Sequence, residues 1–243
     1  MSGACLGPGP KSMQALAWIA RVGATPFDAL QLMIGCSRRK ALDHVRRLEA
    51  AGLVTRAAMR RGDGTLVLLT RAGAREAGCP TRRATRALAP HAWAHASGCA
   101  WASAWLELRG RAWVSEREVL EDDLWRYDLR YRDHRGTVRV THRPDLVVQM
   151  GSGPIAIEVE LQRKAPVRLR GICAMYSELT EPDGPLAGVI YITDRADVSD
   201  LVARCAHDSG LASPALSMRS FATVLEQTRA AAAAIATTRS ELT

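Results

Sequence analysis

The stretch HRPDLVVQMGSGPIAIEVELQRK, residues 142–164, puts Asp145 at the head of one apolar run and Glu158 and Glu160 inside the next. Residues two apart in a strand share a face, so Glu158 and Glu160 point together, while Ile157, Val159 and Leu161 are expected to point into a core. A turn around Met150–Pro154 would lay the two runs side by side and bring Asp145 to the same face. Three carboxylates so placed repel one another unless a cation lies between them. Hard oxygen ligands of this kind suit magnesium or manganese. A metal held there can activate water and offset the charge that builds on a phosphodiester. Gln162, and Lys164 beyond it, are expected to extend the same face, and either could orient the attacking water. Solvent-facing acids on an ordinary half-buried sheet are the plainer alternative.

The surrounding elements follow from the same kind of pattern. WVSEREVLEDD reads as a short strand or turn leading into an acidic helix. Alternating segments cover RYDLRYRD and TVRVTHRPDLVVQM, and SGPIAIEVELQ is a strand entered from a Gly/Pro turn. PVRLRGICAMYSEL is an amphipathic helix carrying Tyr176, PLAGVIYITD a buried strand, and ADVSDLVARCAHDSG another helix. Strands and helices alternate after an opening hairpin, which predicts an α/β sandwich with a mixed sheet.

Charge separates the two ends of the chain. Residues 1–90 hold 15 Lys/Arg against 5 Asp/Glu, and residues 91–243 hold 18 against 20. The basic excess therefore sits in the first third, as in a nucleic-acid-binding module joined to a second domain. That module begins with MQALAWIARVG, an apolar helix ended by Gly23. TPFDALQLMIG follows, with Thr25 as expected N-cap, Pro26 at the first helical position and Gly35 past the end. SRRKALDHVRRLEAAGLV is a basic helix capped by Ser37, with Ala41, Leu42, Val45 and Leu48 on its apolar face. TRAAMRRGDGTLVLLT reads as two strands around a GDG turn with Arg60 and Arg61 at the tip. Arg38, Arg39 and Lys40 in the first turn of the basic helix, with His44 and Arg47, are the expected DNA contacts. The tip arginines would reach a flanking phosphate or the minor groove.

The order helix, helix, basic helix, hairpin resembles the winged helix-turn-helix, including LxxxGLV into the hairpin and LTxxG out of it. The carboxylate constellation resembles the PD-(D/E)xK superfamily of restriction-type nucleases. Pro144-Asp145 matches its PD element and Glu158-Val159-Glu160 its (D/E)xK element, with Glu160 in the lysine position; Arg163 or Lys164 could supply the displaced charge, and the resemblance makes Glu116 or Glu118 a candidate for the extra acid the superfamily often carries on its first helix. The whole layout is similar to the replication-relaxation proteins of plasmids and other mobile elements, through Arg143-Pro144-Asp145 and IEVEL. The resemblance implies an α+β or α/β chain, a winged helix followed by a restriction-endonuclease-like α/β domain with a mixed sheet. The expected boundaries are a tail at 1–11, the DNA-binding domain at 12–80, a basic connector with a Trp-rich helix at 81–110, and the nuclease-like domain at 111–243. It also implies double-stranded DNA as partner, magnesium or manganese as cofactor, and nicking or cleavage of DNA.

A non-catalytic regulator of replication or transcription, whose C-terminal domain dimerises or binds a partner, stays open beside the nuclease. A small-ligand sensor is a third reading. A homodimer is the expected state, with the Trp-rich helix as its surface. His91 and His95, four apart on that helix, could bind a metal, but no acid or cysteine nearby in sequence completes a site, and a structural pair is the expected reading. Tyr127 and Tyr131 are available as nucleophiles, although no arrangement singles them out. Six scattered cysteines fit a reducing compartment, no secretory signal or membrane span is visible, and the expected location is cytoplasmic.

Overall fold

Pro10 and Gly23 bracket α1 (Pro10–Val22), whose Ala15, Leu16 and Ile19 are fully buried. The structure is a computed structural model and describes residues 8–58, 64–85 and 88–241. After α1 comes a short strand, β1 (Ala24–Pro26), then α2 (Phe27–Ile34) and α3 (Arg38–Ala50). Gly35 ends α2 in the left-handed region, at φ 59°, and the Ser37 hydroxyl accepts from the Lys40 N–H to cap α3. Thr25 departs from its expected role. Its backbone pairs with Val67, its hydroxyl accepts from the Trp18 indole at 3.3 Å, and Pro26 takes the N-cap place of α2. Pairing along residues 24–26 holds this stretch extended, and a three-residue strand is too short to show a period of its own.

β2 (Val54–Ala58) and β3 (Thr65–Leu69) form an antiparallel pair, and β1 completes a three-stranded sheet in the order β1-β3-β2. Leu66 to Leu69 are all buried, as befits a central strand. The exit from the hairpin has a steric explanation. Thr70 caps α4 (Arg71–Glu76) by accepting from the Gly73 N–H, and its hydroxyl lies 2.7 Å from the Gly52 carbonyl. A Cβ on Gly73 would stand 2.0 Å from the Leu53 carbonyl oxygen, so only glycine lets α4 approach the turn into β2 this closely.

Beyond α5 (Pro90–Glu107) lie β4 (Trp113–Val114), α6 (Glu116–Glu121), β5 (Tyr127–Asp133) and β6 (Gly136–His142). β7 (Leu146–Met150), β8 (Gly153–Glu160), α7 (Pro166–Leu179), β9 (Gly188–Thr193), α8 (Ala196–Asp208), β10 (Leu216–Ser220) and α9 (Phe221–Glu241) follow. The larger sheet runs β10-β9-β8-β7-β4. β8, β9 and β10 are parallel, while β7 is antiparallel to both β8 and β4. β5 and β6 form a separate antiparallel ribbon. The protein is thus an α+β chain with a mixed sheet, as expected.

The chain divides into two compact units, residues 1–104 with 228–243 and residues 105–227. The expected second domain ran to residue 243; instead the later part of α9 groups with the first unit, where the Arg229 guanidinium lies 5.7 Å over the Trp101 ring. In the second unit, the Trp105 indole donates to Gln227 Oε1 at 3.0 Å. Trp101 and Trp105 are buried within a single chain, so neither offers the exposed dimer surface expected of the Trp-rich helix. Among the described residues, no helix is long and apolar enough to cross a membrane.

Candidate functional site

β8 is central in its sheet, and a central strand between covering layers is buried on both faces. Ile157 and Val159 are buried on one face, and Ala156, Glu158 and Glu160 on the other. The expectation that only the odd-numbered side chains enter a core is therefore corrected. Ala156 belongs to the cluster built with Val147, Val189, Tyr191 and side chains of α7 and α8, and the two glutamates continue its row along the strand.

Asp145 precedes β7. Its N–H donates to the Ile157 carbonyl at 3.0 Å, and its Oδ2 accepts from the Val159 N–H at 2.7 Å. The Asp145 carboxylate is thereby fixed to the backbone that joins the two glutamates. Glu158, 1% exposed, accepts through Oε1 from the Tyr176 hydroxyl at 2.6 Å, and the same oxygen lies 2.9 Å from His142 Nε2. The His142 and Tyr176 rings meet edge to face.

Lys164 brings a cation to both glutamates. Its Nζ lies 2.5 Å from Glu160 Oε2 and 3.8 Å from Glu158 Oε2. It does not arrive by strand alternation, because β8 ends at Glu160 and residues 161–165 form an irregular connection to α7. Gln162 accordingly does not extend the carboxylate face; it is exposed on that connection, and Leu161 is only half-buried. Four residues of loop let the lysine fold back over the strand end.

The electrostatics follow from this packing. Burial alone would push the Glu158 carboxyl up, but the His142 charge and hydrogen bond, then Lys164 and the Tyr176 hydroxyl, outweigh it and hold the acid well below its ordinary range. Burial would lower the Lys164 ammonium, yet Glu158, Glu160 and Asp145 together raise it. Burial first, then the Glu158 charge, drive the Tyr176 phenol far above its usual value. The centre is thus two buried carboxylates and a third at their backbone, one ammonium, one imidazole and a phenol that stays protonated.

Other expected participants stand elsewhere. Glu118 closes a capping box with Ser115, its carboxylate accepting from the Ser115 N–H at 2.8 Å, so it serves the start of α6; Glu116 lies in the same turn. Tyr127 and Tyr131 pack against the core, and burial raises the Tyr127 phenol, which opposes a nucleophilic role. His95 meets the Cys99 thiol at 3.5 Å, and the side chain of His91 lies outside the described residues.

On α3, Arg39, Lys40, Arg46 and Arg47 are exposed and fall on one side of the helix. Arg38 is exposed too, but its guanidinium is paired with Asp28 at 2.5 Å and stacked 5.1 Å over the Phe27 ring, beside a cleft of about 160 Å³ that Leu42 and Arg56 also line. His44 departs from expectation: its Nδ1 lies 3.0 Å from the Ser12 hydroxyl of α1, and burial followed by the Arg47 and Lys11 charges lowers its pKa, favouring the neutral ring. Arg46 rather than His44 shares the outer face. Arg60 and Arg61 lie outside the described residues.

His142 was the residue sequence reasoning passed over. It directly precedes Arg143-Pro144-Asp145, and that adjacency was the one available signal.

No family model matches the chain. No curated protein matches it either. Among solved structures, the crystal structure of protein VC1899 from Vibrio cholerae is similar over 93% of this chain and 57% of that one, at 12% identity and a TM-score of 0.37. The chain thus spans little more than half the length of that protein, and a likeness this loose fixes neither fold nor activity.

Proposed function

We propose that this chain binds double-stranded DNA through a winged-helix first unit and cuts one or both strands with a nuclease-like centre in its second unit. The observation that carries this reading is the sharing of Lys164 by the buried Glu158 and Glu160 at the end of β8, with the Asp145 carboxylate on the Val159 N–H between them. A structural salt bridge would need one acid for one lysine; here two buried acids share one. The donors are all hard carboxylate oxygens, which fits magnesium or manganese and not a softer metal. Among the described residues the three carboxylates do not yet lie within mutual ligand distance, so Asp145, Glu158 and Glu160 would have to draw together to hold that ion, which when bound supplies charge stabilisation and an acidified water.

The chain's own side chains have separable tasks. Tyr176 and His142 fix the Glu158 carboxylate from behind, on one oxygen, and leave Oε2 toward Lys164. Lys164, held protonated by its acidic neighbours, donates to a phosphate oxygen or orients the attacking water. In the reaction that water's oxygen bonds to phosphorus, one P–O bond to the sugar breaks, and the departing oxygen takes up a proton. Arg39, Lys40 and Arg47 on α3 would place the duplex, and a homodimer on a two-fold site is part of the proposal. Replication or relaxation of a plasmid or other mobile element is the role this chemistry would serve.

The test uses supercoiled plasmid, the full chain and magnesium or manganese, with Asp145→Ala and Glu158→Ala as controls. Nicking by the wild type that is absent in both variants supports the enzyme. Intact plasmid under both metals defeats it. The competing reading, a non-catalytic regulator of replication or transcription, is favoured by the Lys164–Glu160 ion pair, which already satisfies part of the carboxylate charge. It predicts DNA binding with no cleavage.

A further inference from the structure

The second unit has no basic excess as a whole, yet its cations are not spread evenly. The β5–β6 ribbon, residues 127–142, contains four arginines against two aspartates. Its register sets Arg130 directly opposite Arg139, with Arg132 opposite Thr137. All three arginines are exposed, and among the described residues none has a carboxylate within ion-pairing distance. Like charges facing each other across two strands cost stability. A polyanion laid across them removes that cost.

The ribbon is also firmly placed. Leu129 is fully buried, and Tyr131 packs beside it on the same side. That side lies against α7 at Gly171, where an added Cβ would stand 2.8 Å from the Tyr131 Cβ. Alternation therefore turns Arg130, Arg132 and Arg139 away from α7. β6 ends at His142, which touches Glu158. Arg139 precedes His142 by three residues, roughly 10 Å along a strand, and alternation turns the two to opposite faces of the ribbon.

We propose that the outer face of the β5–β6 ribbon grips the phosphate backbone of duplex DNA through Arg130, Arg132 and Arg139. This rests on the DNA-binding reading above, and it gives the second unit its own hold on the substrate, independent of α3.

The test measures binding of the full chain to a labelled DNA duplex across a salt titration. Replacing Arg130 and Arg139 together by alanine should lower the slope of log affinity against log salt by about 1.8, at about 0.9 for each phosphate no longer neutralised. Arg130→Lys with Arg139→Lys should keep the slope, and Arg204→Ala on α8 should leave it unchanged. An unchanged slope in the alanine pair, while Arg39→Ala with Lys40→Ala weakens binding, overturns the ribbon assignment and leaves the DNA reading standing. An equal loss per arginine with Arg204→Ala also overturns it, since bulk charge would then explain the effect. A wild-type chain that binds no duplex at low salt overturns both.

Discussion

Lys164 returns across the end of β8 to place its ammonium 2.5 Å from the carboxylate of Glu160, four residues earlier. Glu160, where the expected nuclease pattern would carry a lysine, is thus accompanied by a lysine from the following loop. Removing that ammonium leaves two buried acids without their shared cation. Lys164→Met is therefore expected to destabilise the fold by about 2–3 kcal/mol, somewhat under the roughly 3–5 typical of a fully buried pair because the lysine is partly exposed. Urea unfolding measures this, and a loss under about 0.5 kcal/mol, the scale of an ordinary surface substitution, would deny the lysine its role.

Tyr176→Phe removes one donor from Glu158 and keeps the ring. A hydrogen bond to a charged group contributes about 1.5–3 kcal/mol, and the loss should fall in that range. Because His142 addresses the same oxygen, a double-mutant cycle with His142→Phe should give a non-zero coupling. Strict additivity would mean that the three groups do not act together.

The acid limb of stability should follow Glu158. Its folded-state pKa is depressed, so its contribution is fully present above the ordinary carboxylate value near 4.3 and is lost as pH falls through the lower folded value. Lys164 runs the other way: its raised value makes its contribution complete at neutral pH and lost only at strongly alkaline pH. Unfolding free energies in metal-free buffer should be flatter below pH 4 in Glu158→Gln than in the wild type. An identical acid limb in the two proteins would contradict this.

His44→Ala separates two views of α3. With its ring held by Ser12, the substitution should lower the melting temperature yet alter DNA affinity less than twofold. Arg39→Ala and Arg47→Ala should each weaken binding, by about 1–3 kcal/mol where the arginine reads a base edge. An effect of His44→Ala as large as that of Arg39→Ala would return the histidine to the DNA face.

Gly73→Ala forces a methyl group onto the Leu53 carbonyl at 2.0 Å, against backbone that cannot yield cheaply. Overpacking of this kind costs about 1–3 kcal/mol, and here the upper end is expected. A melting temperature equal to that of the wild type would show that α4 can move away.

Much of this was legible in residue order. Strand alternation put Glu158 and Glu160 on one face, and the Gly/Pro turn laid β7 against β8 so that Asp145 reaches the Val159 N–H between them, because both relations are local. The N-cap of α3 at Ser37 and the glycine stops at 23 and 35 were equally plain. What could not be read depends on distant pairings. His142 reaches Glu158 only because β6 ends beside β8, and Thr25 leaves its capping role only because β3 recruits residues 24–26. Lys164 was within reach on paper, but the strand ended two residues before Gln162, so it came from a loop whose course no periodicity describes. The Arg130–Arg139 opposition needed the ribbon's register before it meant anything.

The hydrogen bond between Trp105 and Gln227 ties the first residue of the second unit to its last. Topologically that unit is an insertion, with entry and exit side by side, in a host whose own sequence is interrupted. Such a module can be excised, or circularly permuted by joining its ends, with little spanning to do. The host, by contrast, should not survive a simple cut after residue 104, since the helix that completes it is supplied from beyond the inserted module.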